Sequence, residues 1–234
     1  MNIIPKIEID GNEIERVKDF NFLGLVLNEN LSWKPHVNGV CNKLAKYIGI
    51  MCRLKRFLPL NILRTLYCSM VQSNMNYSLL VWGFNCGRLK KMQKKFLRII
   101  TCSSYNAHTE PLFKCLKLLK LEDLFVLNVL KFYYKYEHGK LPFYFGTYSL
   151  IRQEDIHNYP TRNRFVIPRN VTRTHAAQKC LRHHIPVVLN AVSNNIIEKV
   201  NTHSYQGFSN YVKNNFIEKY SLVCLIEDCY VCSR

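Results

Sequence analysis

The chain has 234 residues, 48% hydrophobic and 12% aromatic, which is enough apolar material for one large or two small domains and too much for a disordered polymer. Its 33 Lys and Arg against 16 Asp and Glu leave a formal charge of +17, an excess that draws polyanions over a Debye length of about 8 Å. Nucleic acid is the first expected partner and an anionic membrane surface the second, and no apolar run approaches the ~20 residues of a membrane span.

The cations are unevenly placed. From Asn30 to Thr109 there is no Asp or Glu, while 13 Lys and Arg lie in that stretch. A second acid-free run, Ile156 to Ile197, carries Arg162, Arg164, Arg169, Arg173, Lys179 and Arg182. Both zones are expected to be electropositive on any fold that exposes them. Ten cysteines would suit a secreted disulfide scaffold, but Met1 to Glu15 alternates apolar with polar residues and is no signal peptide. Cys41, Cys52, Cys68 and Cys115 fall within helical patterns, where a reduced thiol acts as a small apolar group. The expectation is a reduced, intracellular protein of nucleus or cytoplasm.

In chain order, residues 1–32 read as β structure. Lys6 to Ile9 and Glu13 to Val17 flank Asp10-Gly11, a hairpin-turn dipeptide, and Phe20 to Leu27 reads as a third strand. Residues 33–142 read as a helical bundle. Val37, Val40, Cys41, Leu44, Tyr47, Ile48 and Met51 share one face of a helix over His36 to Arg53. Pro59 suits the start of the next, marked by Ile62, Leu63, Leu66, Tyr67, Met70 and Val71. Further helices are expected over Arg88 to Cys102, Glu110 to Leu118 and Glu122 to Glu137. Residues 143–234 read as a basic connector and a less regular extension. There the pattern fails from Phe143 to Val171, and a late helix is expected over Gly207 to Lys219. The fold class expected is mainly α.

The helix Arg88 to Cys102 (RLKKMQKKFLRIITC) is the most informative. Leu89, Met92, Phe96, Ile99 and Ile100 fall on one half of its wheel; Arg88, Lys90, Lys91, Lys94, Lys95 and Arg98 fall on the other. Six cations thus line about 15 Å of axis with no intrahelical acid to pair them. A solvated amphipathic helix would usually carry mixed charge. This one is tolerated best when phosphates, or an acidic neighbour in the fold, offset its repulsion, and it predicts salt-sensitive backbone contacts with little sequence preference.

Other constellations are weaker. Cys224, Cys229 and Cys232 have zinc-like spacing but no fourth ligand follows, and His203 or His183-His184 would have to fold back to complete a site; three unliganded thiols are the simpler reading. No Cys–His motif and no Gly-rich phosphate loop stand out, so neither a catalytic residue nor a cofactor is assigned. Tyr133, Tyr134 and Tyr136 beside Lys131 and Lys135 could stack on bases, though their helical setting favours core packing.

Several pieces, in order, resemble the region after the palm in reverse transcriptases of non-LTR (LINE-type, jockey- or CR1-like) retrotransposons. Phe22-Leu23-Gly24 with Leu31-Ser32-Trp33 and His36 is similar to that family's FLG…L-x-W-x-x-H start. Leu66-Tyr67 and Tyr77 to Gly83 (YSLLVWG), Met92-Gln93-Lys94 to Ile100, and His108 to Phe113 (HTEPLF) resemble its following elements. Leu141-Pro142, Thr161-Arg162 and Phe208 to Lys213 are similar to later ones. The resemblance implies a thumb-like bundle that grips template RNA and RNA–DNA duplex beside a separate palm and fingers, with Phe22, Leu23 and Gly24 near the primer terminus. The family's Tyr/Phe-x-Asp-Asp palm motif is absent, so a non-catalytic polymerase fragment is expected. Arg88, Lys91, Lys94, Lys95, Arg98, Arg162 and Arg164 are the expected nucleic-acid contacts. The alternative is an independent small basic nucleic-acid-binding or structural protein derived from such an element.

Overall fold

The computed structural model describes residues 7–84, 86–147, 150, 166–169 and 171–221. Arg162, Arg164 and the Cys224, Cys229 and Cys232 set lie outside the described residues. The architecture is mainly helical, with two small antiparallel strand pairs at the N-terminal end.

The first pair joins β1 (Glu8–Ile9) to β2 (Asn12–Glu13) around Asp10 and Gly11, both at positive φ, as the dipeptide predicts. The expected single strand over Phe20 to Leu27 is instead a second hairpin, β3 (Asp19–Phe22) and β4 (Leu25–Asn28). Leu23 (φ 48°) and Gly24 (φ 78°) make its turn. The sequence disguised it because Leu is a poor marker for a left-handed position. Six of the chain's acids, Glu8, Asp10, Glu13, Glu15, Asp19 and Glu29, sit on or beside these hairpins.

α1 (Lys34–Leu54) starts with a proline in its first turn and buries Val40, Cys41, Leu44 and Met51, the face that its periodicity marks. Cys41 behaves as a core residue; Cys52 and Cys115, expected to do the same, are exposed. α2 (Leu60–Leu66) runs through a π-helical stretch, Tyr67–Gln72, into α3 (Ser73–Asn76), and α4 (Leu79–Trp82) adds a short turn the sequence did not announce. Next come α5 (Gly87–Ile100), α6 (Glu110–Cys115) and α7 (Leu121–Glu137). α7 buries residues around most of its circumference, from Leu121, Leu124 and Phe125 to Phe132, Tyr133 and Tyr134, which marks it as the central helix. Tyr133 and Tyr134 therefore pack in the core.

A 3-10 turn at Phe143–Thr147 opens the connector. Beyond it lie α8 (His175–Gln178), α9 (Leu181–Ala191), α10 (Asn194–Thr202) and α11 (Tyr205–Glu218). The last of these matches the expected late helix, and Ser204 caps it by accepting from the Gly207 N–H at 3.2 Å. α8 to α10 went unrecognised, although Ile185, Val188, Leu189 and Val192 keep a helical period; Pro186 inside α9 masks it. Asn190 ties this region to the connector through a reciprocal pair of hydrogen bonds with the Ile167 backbone, 2.9 and 3.0 Å. The buried residues form one cluster from Val40 in α1 to Tyr220 after α11.

Candidate nucleic-acid interface

The motif segments meet in space. The Tyr77 hydroxyl donates to the Leu23 carbonyl at 2.5 Å, which pins the Phe22-Leu23-Gly24 turn to the bundle. His36 accepts from the Val26 N–H through Nδ1 at 3.4 Å and sets its ring against Trp82, centroids 5.3 Å apart. Gly83 is needed where it stands, because a Cβ there would lie 2.5 Å from the Leu79 carbonyl oxygen and 2.8 Å from Phe125. Gln93 is buried in α5. Its amide donates to the Tyr67 hydroxyl and the Leu119 carbonyl and its oxygen accepts from the Leu121 N–H, all at 3.0 Å. Phe22 and Leu23 themselves remain exposed.

α5 sorts its side chains as its sequence implies, except that Met92, expected on the apolar half, is only half-buried and lines the cationic groove. Leu89, Phe96, Ile99 and Ile100 are buried against the bundle, joined by Gln93 and Leu97. On the opposite face Arg88, Lys91, Met92, Lys94, Lys95, Arg98 and Tyr105 line one open groove of about 330 Å³. The five α5 cations expected to bind are thus brought together. Arg88, Lys91, Lys94 and Lys95 are exposed, and no acid lines the groove.

The six cations of this helix have no acid within it, and one of them finds an acidic neighbour in the fold. The Lys90 ammonium pairs with Glu122 at the start of α7, an acidic neighbour that a single-helix reading cannot supply. It stands in a neighbouring depression with Gln93 and Glu110, and Lys94 lines both this depression and the groove. There Lys120 donates to Glu110 at 2.8 Å, and that bond holds the Glu110 carboxyl below its usual pKa. Arg98 is half-buried and donates through Nε to the Ala107 carbonyl at 2.9 Å. It thereby fixes the loop after α5, which turns at Cys102 (φ 52°) and presents Tyr105, 81% exposed, to the groove. Sequence reasoning missed Tyr105, since an aromatic in a short polar loop carries no periodic signal.

Chemically, the groove offers ammonium and guanidinium donors for phosphate oxygens, the apolar surface of Met92 and a free phenol ring for stacking. Among the described residues, no three His, Cys, Asp or Glu side chains gather as a metal site. No helix among them is long and apolar enough to cross a membrane.

Two curated proteins of Drosophila melanogaster are similar to the chain. It is 23% identical over 128 residues to a probable RNA-directed DNA polymerase from transposon BS, a match that covers 52% of this chain and 14% of that protein. It is 24% identical over 127 residues to a probable RNA-directed DNA polymerase from transposon X-element, covering 51% and 14%. No family model and no solved structure matches. The chain is thus distantly similar, over about half its length, to RNA-directed DNA polymerases of transposons.

Proposed function

We propose that the chain is a nucleic-acid-gripping segment of a retrotransposon reverse transcriptase of the LINE type. In this reading it is a thumb-like helical bundle that holds template RNA and RNA–DNA duplex by their phosphates and has no polymerase site of its own. The observation that carries it is the α5 groove, where five cations and Tyr105 converge with no acid among them. The similarity to transposon polymerases supports the same reading. So does the 80-residue stretch from Asn30 to Thr109, which holds the bundle's basic face and not one carboxylate with which to bind a catalytic metal. The palm and fingers that would do the chemistry are then the bundle's partners in the whole polymerase.

Binding of a labelled RNA–DNA hybrid, followed by anisotropy over a salt series, tests the reading. Each phosphate contact contributes about 0.7–0.9 to the slope of log K against log salt. The triple change Lys91→Gln, Lys94→Gln, Lys95→Gln should flatten that slope by roughly two to three units with helicity intact. An unchanged slope and affinity would exclude α5 as the binding face.

A further inference from the structure

The chain has two tryptophans, Trp33 and Trp82, and both line one cleft of about 450 Å³ between the start of α1 and helices α8 and α9. Pockets for small organic ligands run from about 300 to 1,000 Å³, so the cleft suits a single nucleotide and is too small for a helix. Phe84 and His184 supply a further aromatic wall, their rings parallel within 7° and 4.4 Å apart. Burial, with His183 as the lesser cause, lowers the His184 pKa, so this ring stacks as a neutral imidazole. Its Nε2 is buried and meets no hydrogen-bond partner, an unusual state for a polar atom.

The charge around the cleft has one sign. Lys34 and Lys179 line it, and no carboxylate does. α1 begins here without an acid in its first turn and without a side-chain cap, which leaves its partial positive end unopposed. The cleft also adjoins the α5 groove: Asn38 in its wall accepts from Arg88 of the groove at 3.3 Å.

We propose that this cleft receives one unstacked base of a single-stranded nucleic acid whose backbone lies along the α5 groove. The base packs against Trp33 and Phe84 beside the buried Trp82, and its phosphate meets Lys34 and Lys179. The inference rests on the nucleic-acid reading above and adds a site to it. A single strand is the fitting partner because its bases leave the stack at least cost, and aromatic walls accept any base by its π face.

Since both tryptophans stand in the cleft, their emission reports its occupancy. The full chain is titrated with a labelled oligodeoxyadenylate and with an abasic oligomer of equal length, reading label anisotropy and tryptophan emission together. Both oligomers should bind, the abasic one about tenfold more weakly, as one to two lost stacking contacts imply. Only the base-bearing oligomer should quench the tryptophans. The surface change Lys34→Gln with Lys179→Gln should weaken that quenching, whereas the α5 triple change should weaken both oligomers alike. Binding without quenching, or equal quenching by the abasic oligomer, overturns the pocket and leaves the groove standing. An absence of binding by either oligomer overturns both.

Discussion

Gln93 joins three parts of the bundle that lie far apart in sequence. With its side chain removed, the Leu121 N–H and the Tyr67 hydroxyl would both be buried without a partner. Burial already raises the Tyr67 pKa well above the usual phenol value, so ionisation offers that hydroxyl no relief. Each orphaned group costs about 1–3 kcal/mol. Gln93→Leu should therefore lower stability by about 2–4 kcal/mol in urea unfolding, and a loss under about 1 kcal/mol would contradict this account. His36 gives a pH signature. Its Nδ1 accepts from Val26 while Nε2 is buried without a partner, so protonation would destroy the acceptor and bury an unpaired charge. Desolvation, aided by Lys43, accordingly lowers its pKa. A histidine whose pKa is depressed by folding contributes stability that is full above its unfolded value, about 6.5, and is lost as the pH falls below it. The melting temperature should decline from about pH 7.5 to about pH 5.5, and His36→Gln, which keeps an acceptor, should flatten the decline. Asp123, raised above its ordinary value of 3.8 chiefly by burial, acts with the opposite sign in a window that opens at lower pH. Little of this was legible beforehand. Gln93 stood out only as part of a resembling motif, and nothing local tells a buried glutamine from a solvated one when its partners lie 26 and 28 residues away.

Among elements, α5 was readable because its period and its charge agree, and both act within a few turns. α9 was not, because one proline outweighed four well-spaced apolar residues. The N-terminal hairpins were half readable: Asp10-Gly11 is a turn by composition, whereas Leu23-Gly24 is held as one by the tertiary bond from Tyr77. These hairpins leave Ile9, Phe20 and Phe22 between 53% and 59% exposed, an apolar surface that two-stranded ribbons cannot bury alone. In the proposed polymerase it would face the palm. Isolated, it should favour association: Ile9→Thr, Phe20→Thr and Phe22→Thr together should raise the monomer fraction in sedimentation velocity while the helical circular dichroism persists. No gain in monomer would place the self-association elsewhere.

The whole molecule is tied at its far end by Tyr220. Its hydroxyl donates to Asp123 and accepts from the Lys120 N–H at 3.1 Å, while Lys114 donates to the Glu218 and Tyr220 carbonyls at 3.1 and 2.7 Å. Contacts across some hundred residues have no local trace, so the seating of α11 beside α6 and α7 had to come from the structure. The uneven distribution of charge, visible from the start, has a consequence for motion. With six of the sixteen carboxylates on or beside the hairpins and none from Asn30 to Thr109, where 13 Lys and Arg lie, the molecule carries a permanent electric moment. Near a polyanion that moment exerts a torque, turning the helical face inward and the hairpins outward before any contact forms, so a larger share of diffusional encounters begins in a productive orientation.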